Sequence, residues 1–178
     1  MNPVRVWDPL VRALHWGLVA AIALAWFAGE ENLRAHEWAG WAALAIVAVR
    51  IGWGFAGSRY ARFAQFVRAP REVAPYAGAV FTKTEPRYLG HNPLGGWMVL
   101  VLLATVALTS LSGWLYTTDM FWGLAWLERL HTASAWALLV LAALHVAGVI
   151  FTGVRHAENL VAGMLTGRKR APAPGDRD

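Results

Sequence analysis

Four long apolar runs separated by polar stretches set the pattern of this chain. They cover residues 10–28, broken only by Arg12 and His15; 36–56, which carries Arg50; 94–116; and 132–154, where His145 is the single ionisable residue. A helix needs about 20 mainly apolar residues to cross the core of a bilayer. Backbone polar groups can be satisfied there only within the helix itself. None of the four runs alternates with the two-residue period of a half-buried strand, and all are longer than ordinary buried strands. The predicted fold is therefore all-α, an integral membrane four-helix bundle. A cleaved signal peptide is the alternative for the first run, but it lacks a small-x-small cleavage site and ends in Trp26 and Phe27, so a retained anchor is expected.

Composition agrees with this pattern. Of 178 residues 57% are hydrophobic and 15% charged, against about 25% charged in an ordinary water-soluble domain. The net charge of +5 could suggest nucleic acid, so the positions of the basic residues decide. Thirteen Lys and Arg lie in residues 1–12, 57–93 and the tail from Arg155, while the other two connections carry only Arg34 and Arg129. By the positive-inside rule both termini and the 57–93 loop are cytoplasmic. That distribution leaves no basic face for nucleic acid, which is excluded as a partner. In the long loop Phe63, Phe66, Val67, Tyr76 and Phe81 interleave with Arg62, Arg68 and Arg71, a pattern suited to a helix lying in the headgroup layer. No repeat or second domain is visible. Residues 1–170 read as one transmembrane domain, and the short polar, proline-containing segment 171–178 as a disordered cytoplasmic tail.

The chain has no cysteine, so thiolate zinc sites, iron–sulfur clusters and thioether-attached haem are excluded. Histidine carries the remaining metal chemistry. An ionisable residue inside a membrane span is costly, and so a candidate functional group. His131 and His145 are fourteen residues apart, about 21 Å and four turns along one helix face. His36 opens the second span at the outer surface, and His15 lies early in the first span at the inner one. Two pairs at matched depth result, His36 with His131 and His15 with His145. Two imidazoles on facing helices can occupy both axial positions of a haem iron, so two pairs point to two stacked haems. Zinc or copper would need three or four donors at one depth, and only two histidines share each level.

Gly40 lies one turn beyond His36 on the same face, leaving room for a flat ring; close helix packing is the other explanation. Arg50, fourteen residues beyond His36, reaches the level of the inner pair, where a haem propionate is a natural partner; snorkelling to the headgroups is the alternative. His91 and His156 flank the third and fourth spans at the cytoplasmic edge. Both are candidate hydrogen-bond donors to a quinone, or simply solvated interfacial residues. The Trp residues cluster near the span ends, as in an interfacial belt.

The segments RVWDPLVRALH from Arg5, HEWAG from His36, GHNPLGG from Gly90, ERLHTASAWALLVLAALH from Glu128 and RHAENLVAGMLTG from Arg155 resemble the bacterial cytochrome b561 family. The likeness is to the branch that contains the cytochrome b subunit of nickel–iron hydrogenases, and it extends to about Arg170. The resemblance implies a four-helix membrane cytochrome with two b-type haems in the bacterial inner membrane. His15, His36, His131 and His145 match the family's haem ligands. It further implies electron transfer between the quinone pool and a periplasmic redox partner, either a hydrogenase-like subunit or a cytochrome c. The family also includes superoxide oxidases, which pass electrons from superoxide to quinone; this is the alternative activity. The chain lacks the extra transmembrane structure of the longer hydrogenase cytochromes.

Overall fold

The structure, a computed structural model, describes residues 3–29 and 31–178. In chain order the elements are β1 (Val4–Arg5), α1 (Pro9–Ala28), α2 (Leu33–Ala56), a 3-10 turn (Arg59–Ala61), α3 (Phe63–Phe66), α4 (Pro70–Thr82), α5 (Pro93–Tyr116), α6 (Ala125–Arg155), α7 (Leu160–Thr166) and β2 (Arg168–Lys169). Helices α1, α2, α5 and α6 are each long and apolar enough to cross a membrane. Their flanks leave large apolar groups uncovered: Phe27, Trp38, Phe55 and Val154 are each more than 70% exposed. Apolar exposure on that scale is stable against lipid tails and costly against water. The chain is an all-α multi-pass membrane protein.

The helices divide between two compact units, one formed by Met1–Arg12, Gly52–Leu100 and Ala143–Asp178, the other by Ala13–Ile51 and Val101–Ala142. In the first unit β1 pairs antiparallel with β2, Val4 opposite Lys169 and Arg5 opposite Arg168. Two residues on each side are too short to show as a strand pattern in sequence. Asp8 organises the start of α1. Its carboxylate accepts the Val11 N–H at 2.9 Å, the Ser58 hydroxyl at 2.5 Å and the Trp53 indole N–H at 3.1 Å, while Pro9 supplies the preset φ of a first helical residue. Burial pushes the Asp8 carboxyl upward, but these hydrogen bonds outweigh it and hold the group below its ordinary value. Gly167 closes α7 in the left-handed region with φ +79°, and a Cβ there would stand 2.6 Å from the Trp7 carbonyl oxygen. Its own carbonyl accepts the Val6 and Trp7 N–H groups at 2.9 and 3.1 Å, so a side chain at 167 would disrupt the docking of the N-terminal segment.

A buried ionic cluster holds the same unit together. The Arg87 guanidinium donates to Glu158 at 2.5 Å and to the Arg170 carbonyl at 3.0 Å, and it also pairs with Asp176. Lys169 lies 3.2 Å from Glu158 and donates to the Leu89 carbonyl at 3.0 Å. Burial favours the neutral form of Glu158, yet the hydrogen bond from Arg87 and the charge of Lys169 prevail and lower its pKa. Asp176 is lowered in the same way against its burial, by the Ala173 N–H and Arg87.

Two expectations differ from this picture. The 57–93 loop forms no single amphipathic helix: Phe66 is fully buried and Tyr76 nearly so, while Phe81 stays exposed. Phe66 and Tyr76 serve packing within the unit, and the extended residues Arg62 and Val67 separate the short α3 from α4, which starts at Pro70. Residues 171–178, which composition alone reads as disordered, lie against residues 59–89 in the structure. Asp176 meets Arg87, Asp178 accepts from Tyr60 and Arg59 at 2.6 Å each, and the Arg177 carbonyl accepts the Leu89 N–H at 2.9 Å. Composition counts polar residues without showing which opposite charges lie opposite them.

Candidate functional site

The best-defined histidine site lies in the second unit and draws on all four long helices. His36 comes from the first turn of α2 and His131 from the second turn of α6, with ring centres 5.8 Å apart and planes inclined at 73°. The Nδ1 of His36 is 2.8 Å from the Ala25 carbonyl oxygen on α1, and the Nδ1 of His131 is 2.9 Å from the Thr109 carbonyl oxygen on α5. A carbonyl can only accept, so each Nδ1 carries the proton. Each Nε2 therefore keeps its lone pair, the form in which imidazole binds a metal. Two imidazoles bound to one ion through bonds of about 2 Å hold their ring centres about 6 Å apart. The observed separation fits a shared ion.

The surroundings fit a flat group as well. A Cβ built on Gly40 meets no atom within 4 Å, so open space lies beside α2 one turn from His36. Gly113 on α5 differs: a Cβ there would stand 2.8 Å from Cε1 of His131 and 2.9 Å from its Nδ1. The Trp41–Trp114 and Trp26–Trp136 ring pairs, with centres 5.6 and 5.0 Å apart, add aromatic contacts within the unit. Among the described residues no three His, Cys, Asp or Glu side chains gather at one point.

His15 belongs to this unit and stacks edge-on against Trp16 at 5.1 Å, while His145 belongs to the other. Their pairing therefore rests on helical register. Arg50, at the far end of α2 from His36, is buried with 6% of its surface exposed. Of the two edge histidines, His91 is packed between the Trp7 and Phe66 rings, whose centres lie 4.7 and 4.6 Å away. His156 lines an open cavity of about 610 Å³ together with Arg87, Arg155 and Arg170. Burial lowers its pKa more than the Glu85 carboxylate raises it.

Ala25, Thr109 and Gly113 are the site residues that the histidine count overlooks. The first two act through backbone carbonyls, which leave no mark on residue type. Gly113 is visible only once the register of α5 against α6 is known.

The profile of a family described as prokaryotic cytochrome b561 matches residues 6–167. No curated protein and no solved structure matches the chain.

Proposed function

Since the chain belongs to the prokaryotic cytochrome b561 family, we propose that it carries electrons between a periplasmic redox partner and the quinone pool, using two b-type haems held in tiers. The observation that carries this reading is the His36–His131 pair, whose Nδ1 protons are fixed on the Ala25 and Thr109 carbonyls. The haems supply a reversible one-electron iron couple. His36 and His131 hold the outer group, and the carbonyl acceptors raise the basicity of both imidazoles. His15 and His145 hold the inner one, a pairing supported by their depth in α1 and α6. Gly40 makes room beside the outer ring, and Arg50 neutralises a propionate.

The positive-inside pattern supports cytoplasmic termini in a bacterial inner membrane. His91 and His156 would then lie at the cytoplasmic edge, as candidate donors to a quinone oxygen. On the outer side Glu30, Glu31, Glu37, Asp119 and Glu128 outnumber Arg34 and Arg129. That balance favours docking of a protein partner over capture of superoxide, an anion. The test is to add a short-chain quinol to the purified, air-oxidised protein and follow the b-type absorption bands. Reduction of the haems by quinol is expected; haems reduced by dithionite but not by quinol would overturn the quinone half of the reading.

A further inference from the structure

We propose that Gly113 is a positioning residue for the outer haem, fixing the rotation of the His131 ring relative to His36 and with it the electronic state of the iron. The proposal rests on the reading that these two histidines share a haem. Position 113 is crowded. A Cβ at residue 113 would approach His131 Cε1 and Nδ1 to 2.8 and 2.9 Å, closer than side-chain carbons approach ring atoms in folded proteins. The absent side chain thus lets the imidazole lie against α5.

Contact alone would not fix the ring's rotation. The second restraint is the Thr109 carbonyl, 2.9 Å from Nδ1 and one helical turn before Gly113 on the same helix. Both restraints act on the Nδ1–Cε1 edge of the ring, which donates to the Thr109 carbonyl and faces the bare backbone at Gly113, so turning the imidazole about its Cβ bond would break the hydrogen bond. His36 is held by Ala25 on α1 at 2.8 Å. With the two rings anchored on different helices, their planes are inclined at 73°.

The mutual angle of two axial imidazoles governs how the iron d orbitals split. Near-perpendicular rings leave two of them almost degenerate, which gives ferric low-spin haem a strongly anisotropic EPR signal with one large g value. Parallel rings lift the degeneracy and give an ordinary rhombic signal. Ligand orientation and the hydrogen bond behind the ligand are also levers on reduction potential. Gly113 therefore sets a property of the bound group without touching it.

The experiment compares the wild type with Gly113→Ala and with Gly78→Ala, a control in α4, away from every proposed ligand, at a glycine where a Cβ meets nothing within 4 Å. Haem per chain, the ferric EPR spectrum and a redox titration are measured on purified protein. The wild type is expected to show a large-g signal for the outer haem. Gly113→Ala is expected either to lose that haem alone, or to keep it with an altered g value and a reduction equilibrium changed about tenfold, which is about 59 mV for one electron. The inner haem and the control should match the wild type. Unchanged spectra and potentials in Gly113→Ala overturn the proposal. So does loss of both haems from Gly113→Ala alone, because the glycine would then be supporting the bundle instead of one ligand. If His131→Ala removes no haem from the wild-type background, the underlying reading has failed instead.

Discussion

His36→Ala and His131→Ala are each expected to halve the haem content, leaving one haem per chain with the spectrum of the inner tier. Removing either imidazole breaks one axial bond, and it also releases a backbone carbonyl, of Ala25 or Thr109, that had accepted the ring N–H. The remaining histidine cannot hold a b-type haem tightly alone, since the chain has no cysteine to anchor it covalently. His15→Ala and His145→Ala should give the complementary spectrum. Haem extraction against protein concentration, with reduced-minus-oxidised spectra, reads all four. Two retained haems in His131→Ala would remove that residue from the ligand set, and loss of both would mean that the tiers are not independent.

Arg87→Ala is expected to produce the largest loss of stability, about 3–5 kcal/mol, the range for deleting one partner of a buried ion pair. Its side chain is 4% exposed and faces Glu158 and Asp176, which are 6% and 10% exposed. Without the guanidinium, Lys169 is left to balance Glu158, and Asp176 loses its salt bridge. At about 2–4 °C per kcal/mol for a chain of this size, the melting temperature in detergent should fall by about 10 °C. Arg87→Lys should recover only part of this, because a single ammonium cannot reach both carboxylates and the Arg170 carbonyl. A melting temperature unchanged by Arg87→Ala would show that the cluster does not hold the unit together. The cluster also gives a pH dependence. Its carboxylates Glu158 and Asp176 have lowered pKa values, as does Asp8 at the start of α1. Their stabilisation is complete above the ordinary carboxylate pKa, about 4, and is lost as pH falls through the lowered values. The wild type should hold its melting temperature from neutral pH to about 4 and lose it below. Arg87→Ala should show a shallower acid slope.

The four apolar runs were legible because lipid imposes length and hydropathy on each span independently. Three of the four expected spans begin within three residues of the observed helices. The last does not: α6 starts at Ala125 instead of 132. Hydropathy reports what faces lipid, and the charges of Glu128 and Arg129 hide a helix whose hydrogen bonding has already begun. His131 consequently sits within a helix, where its backbone is fixed. Helical spacing put His36 and His131 at one level, and their ring centres lie 5.8 Å apart. The groups that orient the rings could not be read, since a carbonyl at Thr109 looks like any other and Gly113 resembles a packing glycine. The buried ionic cluster was hidden for a related reason. Arg87, Glu158 and Asp176 are far apart in sequence and appear there as loop and tail charges.

The most direct measurement is the molar ratio of non-covalently bound protohaem to polypeptide in protein purified after expression with ample haem supply. Two per chain is the predicted result. A colourless protein, or a ratio that saturates at one, would contradict the two-tier assignment on which the functional reading depends.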